Sequence, residues 1–445
     1  MSFNEILGLF MLIGMVGVIF VGFPISFTLL FLAFIFGSIG VGPDQTFNLA
    51  YLQIWGTMKD DILPAVPLFI FMGYMTEQAG LMERLFLALR HLLAPVRGSL
   101  YLAVILTATI FAMATGIVGA AVTVLGIMAG PIMIKTGYDA KLSAGAIAAG
   151  GTLGILIPPS VMLVVMGPTM GVPVNMLYSA AFGPGFLLAG LYIFYCLARS
   201  FLNPELGPPV PKEERVGDVW LVVREVLIGV LPLALLIGFT LGTILAGLAT
   251  PTEAASCGAF GATVLALLYR RLTFAAIKNA AIATMVTSSM VLLLAVSSNV
   301  FGAVFTKLGT ASIITDTLLA IPLPDVWKLI VIMFLIFVLG WPFEWPAIVL
   351  VFLPIFLPVV EKLQLGMSKM DMLIWFGALL AVNLQTAFLS PPVAMSAYYL
   401  KNVVPQWSLS TIYRGMADYM AIQILCLLAL LLWPQIALWL PQVLR

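Results

Sequence analysis

The chain has 445 residues, of which 62% are hydrophobic and only 9% are charged. Soluble proteins carry about a quarter charged residues, so a soluble enzyme or binding protein is excluded. The net charge of +1 offers no basic surface for nucleic acid. Apolar runs of about 20 residues recur along the chain, and each is long enough to cross a hydrocarbon core about 30 Å thick. The sequence therefore predicts an all-α polytopic membrane protein that lies in a lipid bilayer.

Residue types that carry enzyme chemistry are scarce. The three cysteines, Cys196, Cys257 and Cys426, lie far apart in apolar stretches and behave as small hydrophobes. His91 is the only histidine, and it falls in a basic amphipathic stretch. The chain has no P-loop and no potassium-type filter sequence. We therefore expect neither an enzyme nor a bound cofactor.

Taken in chain order, the sequence divides into two halves around a linker rich in proline and charge. The first repeat, 1–200, is predicted to hold scaffold helices, an amphipathic interfacial arm at 81–98, a hairpin at 99–134 and a broken helix at 140–170. The segment 201–225 is the predicted cytoplasmic linker. The second repeat, 226–445, is predicted to hold scaffold helices, an arm at 301–322, a hairpin at 325–361 and a broken helix at 370–400.

Matching motifs recur in the same order in both halves. Gly80 pairs with Gly309, and the motif Leu156-Ile-Pro-Pro-Ser160 pairs with Leu389-Ser-Pro-Pro-Val393. We assume five crossings and one re-entrant hairpin in each half, with the N-terminus outside. Fourteen of the 20 lysines and arginines then fall on the cytoplasmic side. Because the first half has an odd number of crossings, the second half has the opposite orientation in the membrane. The pattern indicates an inverted-topology repeat, a recurrent plan of secondary transporters.

Four interruptions of apolar runs are the predicted functional positions. Lipid supplies no hydrogen bonds, so unwound backbone survives only when protein buries it or when it lines a cavity. Its carbonyls can then bind a cation, and the amide ends of half-helices can hold an anion. The interruptions, two in each half, are Ala114-Thr-Gly-Ile-Val-Gly-Ala120, Gly150-Gly-Thr-Leu-Gly-Ile-Leu-Ile-Pro-Pro-Ser160, Gly340-Trp-Pro-Phe-Glu-Trp-Pro346 and Gln385-Thr-Ala-Phe-Leu-Ser-Pro-Pro-Val393.

Acidic and amide side chains in apolar stretches are the next candidates, because such residues are rare in membranes and usually functional. Glu344 lies inside the third interruption and is expected to bind a cation or the solute, the alternative being that it caps a half-helix. Glu253 follows Thr250-Pro-Thr and is expected to cap the helix that begins there. Asn383 and Gln385 either line a polar cavity or join helices by hydrogen bonds.

Three motifs together resemble the large membrane subunit of tripartite ATP-independent periplasmic (TRAP) transporters. They are Thr250-Pro-Thr-Glu-Ala-Ala255, Gly137-Tyr138 before a helix of small residues, and Leu153-Gly-Ile-Leu-Ile-Pro-Pro-Ser160. The resemblance covers nearly the whole chain. It implies the fold of the ion-transporter superfamily, with two re-entrant hairpins, broken helices and an elevator motion.

The same resemblance implies a function and partners. We expect secondary active, sodium-coupled uptake across the bacterial inner membrane, with Na⁺ as the coupling ion, although the sequence leaves protons open. The expected partners are a small four-helix membrane subunit and a periplasmic binding protein that delivers the solute. The expected solute is a small organic acid or a related polar molecule.

The resemblance also implies two sodium sites, each joining a hairpin tip to the break in the following helix. Carried onto this chain, the first site comprises Thr115, Gly116, Gly119, Gly154, Ile157, Pro158 and Ser160. The second comprises Gly340, Trp341, Glu344, Leu389, Ser390 and Pro391. The solute would lie between the tips, near Thr115, Ser160, Glu344 and Ser390.

The chain departs from the family pattern at both tips. Many members have a serine-rich first tip, where this chain has Ala114-Thr-Gly-Ile-Val-Gly, and the second tip commonly carries Asp where Glu344 stands here. Two other classes stay open. One is a self-sufficient symporter or exchanger of the same superfamily, which needs no binding protein. The other is a membrane scaffold or enzyme that transports nothing.

Overall fold

The computed structural model describes residues 2–209, 215, 219–391 and 394–444, and among these residues the secondary structure is entirely helical. The helices before the linker are α1 (Phe3–Phe20), α2 (Ile25–Gly40), α3 (Pro43–Met58), α4 (Ala65–Gln78), α5 (Leu81–Leu93), α6 (Ser99–Thr115), α7 (Val118–Lys135), α8 (Ala140–Leu156), α9 (Val161–Met170) and α10 (Val174–Leu202), with a 3₁₀ turn at Pro204–Leu206. The prediction of an all-α protein is confirmed.

The second half repeats much of this order. Its helices are α11 (Val219–Leu245), α12 (Pro251–Leu268), α13 (Phe274–Lys307), α14 (Thr310–Ala320), α15 (Asp325–Leu339), α16 (Trp345–Ala347), a π-helical turn at Ile348–Phe352, α17 (Leu353–Val360), α18 (Lys369–Leu389), α19 (Met395–Val403), α20 (Leu409–Leu432) and α21 (Gln435–Leu444). The second arm helix is α14, which begins at Thr310 and not at the predicted 301. The long helix α13 continues to Lys307, and Gly309, which has a positive φ of 84°, precedes α14.

Eight helices of the described chain are long and apolar enough to cross a membrane, and a bent pair makes a ninth. That pair is α8 with α9, which meet at 42° across the Pro158-Pro159 step. The protein is therefore a multi-pass membrane protein, as its composition predicts.

Helix starts follow capping chemistry at two exposed turns. Ser2 and Glu5 form a capping box at α1, and Thr250 and Glu253 form another at α12, where Pro251 occupies the first turn. These reciprocal bonds satisfy amides that a helix start otherwise leaves unpaired. The predicted capping role of Glu253 is confirmed.

The arm helix α5 lies between α11 and α6 with its apolar face buried and its basic residues outward. The guanidinium of Arg84 lies 4.6 Å from the ring centroid of Tyr269. His91 Nδ1 lies 2.6 Å from a carboxylate oxygen of Glu225 on α11. Amphipathic sequence at 81–98 therefore produces a helix that is attached to its neighbours by polar contacts at its edge.

Each hairpin is closed at its base by bonds between its two ends. Tyr138 Oη, after α7, lies 3.3 Å from Ser99 Oγ and accepts from the Leu100 amide, both at the start of α6. In the second half, Asp325 at the start of α15 accepts from the Gln364 amide at 2.8 Å. This hydrogen bond is the main reason that the pKa of Asp325 is below its ordinary value, and the hydrogen bond from Lys328 is a further reason. The closure brings each pair of hairpin arms side by side.

The broken helices form the centre of the molecule. Every residue of α8 from Leu142 to Leu156 and of α18 from Met372 to Leu389 is buried. The close contact between α8 and α20 depends on small residues. A Cβ added at Gly415 would lie 2.0 Å from the Lys141 carbonyl oxygen, and one at Gly145 would lie 2.6 Å from the Gly415 oxygen. Helices in membranes commonly approach closely where both present glycine.

We expect Gly415→Ala to lower the free energy of unfolding by about 1–3 kcal/mol, because the new methyl group forces α8 and α20 apart. The check is the thermal unfolding midpoint of the purified protein. Gly190→Ala on α10 is the matched control, since its Cβ would meet nothing within 4 Å. Equal midpoints for the two variants would contradict this account of the helix contact.

Candidate functional site

The tip of the first hairpin rests against the break between α8 and α9. Gly116 has a positive φ of 61°, which glycine adopts without strain, and it separates α6 from α7. A Cβ added there would lie 3.5 Å from both the Pro159 carbonyl oxygen and the Val161 amide nitrogen, and 3.7 Å from the Gly154 oxygen. Tip and break, which are separate in sequence, are therefore in direct contact.

Proline chemistry leaves carbonyl oxygens free at this break. In a regular helix the Gly154 oxygen would accept from the amide of residue 158, which is a proline and has no N–H. The Ile155 oxygen loses its donor at Pro159 in the same way, but Ser160 Oγ replaces it at 2.5 Å. The Gly154 carbonyl beside Gly116 is thus left without its helical donor and is suited to a cation.

The second hairpin packs its Gly340 against α18, one turn before the break that follows this helix. A Cβ added at Gly340 would lie 3.1 Å from Cβ of Ala387. The Ala387 oxygen would normally accept from residue 391, which is again a proline. Ser390 Oγ donates to the Thr386 oxygen at 2.6 Å. In both halves a glycine of the hairpin tip therefore packs against a helix that a proline interrupts. The atoms of that helix nearest to Gly340 are Cβ and Cα of Ala387.

Glu344 lies at the second tip and does not act as a helix cap. It occupies the N-cap position of α16, yet its side chain makes no capping hydrogen bond. Its carbonyl accepts from the Ala347 amide at 3.1 Å and from the Ile348 amide at 3.3 Å. Because the backbone alone satisfies this turn, the carboxylate stays available for a ligand.

A cavity of about 480 Å³ lies between the two hairpin tips and the helices α4 and α13. One side, which we call the α4–α13 wall, consists of Ile70, Tyr74, Glu77, Thr287, Met290 and Val291. The opposite side consists of the first tip with Thr123, the second tip at Glu344, Trp345 and Pro346, and the side chains Ile155, Val161, Phe388, Met395 and Tyr399. A second cavity of about 490 Å³ lies against α13 and α17 and touches neither tip.

Two acidic side chains enter the tip cavity, and sequence analysis identified only Glu344. The other is Glu77, which shares a helical face with Ile70 and Tyr74 on α4. Tyr74 Oη lies 3.3 Å from Thr287 Oγ1, which joins α4 to α13 beside the acid. Neither carboxylate forms a hydrogen bond or an ion pair with any part of the chain that the structure describes.

The predicted site residues differ in whether they reach the cavity. Gly116, Gly119 and Glu344 line the cavity. Six others are buried near the breaks and do not line the cavity: Gly154, Ile157, Pro158, Ser160, Leu389 and Ser390. Gly340 is buried against Ala387 of α18, whereas Trp341 and Pro391 are exposed. The Thr115 backbone ends α6, and its side chain lies outside the described atoms, as do Pro392 and Val393 of the fourth interruption.

The polar residues before the second break join helices. Asn383 Nδ2 donates to the Met333 carbonyl of α15 at 2.8 Å. Gln423 Nε2 of α20 lies 3.5 Å from Gln385 Oε1 and 3.4 Å from Thr152 Oγ1. None of these side chains lines the tip cavity. Of the two roles left open by the sequence, interhelical hydrogen bonding is the one that the geometry supports.

Two hairpin tips that pack against broken helices beside a cavity are the features of a membrane transporter. Residues 12–436 match the family model of the tripartite ATP-independent periplasmic transporter, DctM component, and the chain belongs to this family. It is a large permease component of a secondary transporter and not an enzyme. The resemblance seen in the sequence is confirmed.

Relatives and a solved structure agree with this assignment. The chain is 28% identical to the sialic acid TRAP transporter large permease protein SiaM of Vibrio cholerae, covering 96% of this chain and 97% of that protein. It is 28% identical to the C4-dicarboxylate TRAP transporter large permease protein DctM of Pseudomonas aeruginosa, covering 90% of each. The structure of the YdaH transporter of Alcanivorax borkumensis superposes with a TM-score of 0.64 at 16% identity, covering 99% of this chain and 100% of that one, which shows a shared fold.

We expect Pro158→Ala and Pro391→Ala to weaken sodium binding by about tenfold or more, equivalent to roughly 1.4 kcal/mol. Alanine restores an amide donor to the Gly154 or Ala387 carbonyl, which removes a candidate cation ligand. The measurement is the sodium concentration that gives half-maximal thermal stabilisation of the purified protein. Pro43→Ala is the control, because Pro43 starts the exposed helix α3, where a missing donor costs little. Equal shifts in all three variants would refute this role for the breaks.

Proposed function

We propose that this chain performs sodium-coupled uptake of a small organic acid or related polar solute in the bacterial inner membrane. The observation that carries the proposal is the contact of each glycine tip with a proline-interrupted helix, at Gly116 and at Gly340. The contact at Gly116 places the Gly154 carbonyl, which lacks its helical donor, at a buried turn. Oxygen ligands of this kind suit a small hard cation such as sodium.

The solute would bind in the tip cavity beside the two cation sites. The first site draws on Gly116 and the Gly154 carbonyl, and the second on the turn that contains Gly340 and Glu344. Bound cations would fix the two tips against their breaks and so complete the tip side of the cavity. This arrangement couples cation binding to solute binding, because each ligand orders residues that the other contacts.

The proposed mechanism moves one set of helices past another. The hairpins and broken helices would form the moving unit, and α4 and α13 would belong to the fixed scaffold, with α5 and α14 as arms. The order of helices around the linker supports an inverted repeat, since hairpin, broken helix and following long helix recur in both halves. Alternating access in such folds is largely rigid-body motion of one unit against the other.

A small four-helix membrane subunit and a periplasmic binding protein are the proposed partners. The family is described as tripartite and periplasmic, which supports both. Relatives named for sialic acid and C4-dicarboxylates support a small organic acid as the solute class.

A self-sufficient symporter or exchanger is the second candidate, and the fold that this chain shares with the YdaH transporter does not distinguish it from the first. Reconstitution separates the two. We expect the chain alone in proteoliposomes to give no sodium-driven uptake of the solute carried by its binding protein. Addition of the small subunit and the loaded binding protein should restore uptake. Full uptake by the chain alone would favour the second candidate.

We expect Glu344→Gln to lower sodium-coupled uptake by about tenfold at limiting sodium, because the amide removes a charged oxygen ligand from the second tip. The measurement is initial uptake by the complete system as a function of sodium concentration, with the amount of chain in the membrane quantified in parallel.

Glu205→Gln is the matched control for this experiment, since Glu205 is exposed in the 3₁₀ turn before the linker. Its sodium dependence should equal that of the unaltered protein. If Glu344→Gln also keeps that dependence at normal expression, Glu344 has no part in the cation site.

A further inference from the structure

The second cavity, of about 490 Å³, lies on the same face of α13 as the tip cavity. Thr287 and Val291 of α13 line the tip cavity, whereas Ser298 and Gly302 line the second cavity. Their spacings along the sequence place all four residues on one face of the helix. The distance from Thr287 to Ser298 corresponds to about 16 Å along the helix axis. The two cavities therefore follow one another along a single helix.

The distribution of basic residues places the second cavity toward the periplasm. Arg270 and Arg271 precede α13, which begins at Phe274, whereas Lys307 is its last residue. Basic residues concentrate on the cytoplasmic side of membrane proteins, so the end of α13 near Arg270 is assigned to the inside. The other end, at Lys307, is then outside. We call the cavity at this end the outer cavity.

The outer cavity offers a positive charge and hydrogen-bond donors. Its lining comes from 298–307 of α13, 350–355 of the second hairpin, Gln53 of α3 and Ala311 of α14. Lys307 is the only charged residue among the described residues of this lining. The Lys307 ammonium and the Gln53 amide form no hydrogen bond or ion pair with any residue that the structure describes. An anion with oxygen acceptors would suit these donors.

Asn299 adds a donor whose position is already fixed. Its Nδ2 atom donates to Thr57 Oγ1 at 2.9 Å, which holds the side chain between α13 and α3. An amide nitrogen carries two hydrogens, so one remains for a ligand. Asn299 and Gln53 also line a smaller adjoining cavity of about 190 Å³ that contains Asp60. The Asp60 carboxylate already accepts from two backbone amides of its own turn.

An apolar floor and a closed inner edge complete the outer cavity. Phe301 and Phe305 line it and are buried, with ring centroids 6.0 Å apart. Of the α13 residues in the lining, Ser298 lies nearest along the helix to the tip cavity. Its hydroxyl donates to the Leu350 carbonyl of the second hairpin. Movement of that hairpin would therefore open the outer cavity toward the tip cavity.

We propose that the outer cavity is a second binding site for the organic acid, on the periplasmic side, with Lys307, Asn299 and Gln53 as donors to its carboxylate. This inference rests on the proposed function and adds the site that the acid occupies before it reaches the tip cavity. The carboxylate lies near Lys307, and the apolar floor contacts the rest of the solute. Because Lys307 is exposed, its attraction for the acid is modest and weakens with salt.

Thiol labelling at Gly302 tests the proposal, because an added Cβ there meets nothing within 4 Å. Gly302→Cys is made in the full-length chain with the exposed Cys257 changed to serine, and is reconstituted in phosphatidylcholine vesicles. Membrane-impermeant anionic and cationic methanethiosulfonates are applied to each side in turn. Their rates are normalised to those at Gln364→Cys, a control in the exposed loop between α17 and α18.

We expect the anionic reagent to react with Gly302→Cys about fivefold faster than the cationic one after normalisation, and only from the periplasmic side. Succinate or sialic acid, which represent the solutes named for relatives, should slow this reaction. Succinamide, which has the carbon chain of succinate without its charge, should not. Labelling from the cytoplasmic side alone, or protection by neither acid, overturns the proposal. Protection by phosphatidylglycerol in the membrane and by neither acid identifies a lipid site and also overturns it.

Lys307→Gln in the Gly302→Cys chain identifies the charge. We expect the normalised preference for the anionic reagent to disappear and the apparent affinity of the protecting acid to fall by about fivefold, because the attracting charge is removed. Lys362→Gln is the matched control, since Lys362 is also exposed and forms no ion pair with any described residue. Unchanged protection in a folded Lys307→Gln variant overturns the role of Lys307.

Two further measurements separate this site from the proposed function and from docking of the binding protein. Stabilisation by sodium over potassium in both variants shows that they fold with intact cation sites. Its absence in the unaltered chain overturns sodium coupling and leaves the labelling result as it stands. In the complete system, Lys307→Gln should raise the KM for uptake about fivefold at unchanged kcat. The same rise with undiminished protection by the acid would assign Lys307 to a docking surface and overturn the solute site.

Discussion

The bilayer cannot hydrogen-bond to peptide groups, and this constraint determines where the protein can be irregular. The chain stops its helices at Gly116, at Pro158, at Gly340 and at Pro391, and none of these stops is isolated. Gly116 packs against the break after α8, and Gly340 packs against α18 one turn before its break. The same prolines that end the helices leave carbonyl oxygens without donors. The same constraint that positions the breaks therefore leaves oxygen atoms that are suited to bind a cation.

Helix packing fixes the positions of the hairpin tips and the breaks. The broken helices α8 and α18 are buried along most of their length, and close contact between α8 and α20 depends on Gly145 and Gly415. Amide side chains such as Asn383 join the second broken helix to the second hairpin. The cavity lies where this buried centre meets α4 and α13, so that a solute bound there would contact both groups of helices at once. A shared cavity of this kind suits a transporter in which one group moves past the other.

Sequence reasoning predicted the class of fold and the positions of the four interruptions, because glycine and proline act through local backbone chemistry. It did not identify Glu77, since an acid three residues before Gly80 has the pattern of a helix end at the membrane surface. Only the folding of α4 against α13 places this carboxylate in the cavity. Sequence reasoning also predicts that Ser160 and Ser390 lie near the solute. In the structure, both hydroxyl groups donate to carbonyl oxygens of the preceding turn. Side-chain direction depends on packing that no motif encodes.

The central claim is that paired tips and breaks bind sodium around a common cavity. An experimentally determined density map of the chain in a lipid nanodisc, recorded in sodium and again in potassium, tests it most directly. The account predicts density for a cation between Gly116 and the Gly154 carbonyl, and between Gly340 and the Ala387 carbonyl, in sodium only. Continuous helices through Pro158 and Pro391, or breaks that face lipid and hold no ion, would contradict it.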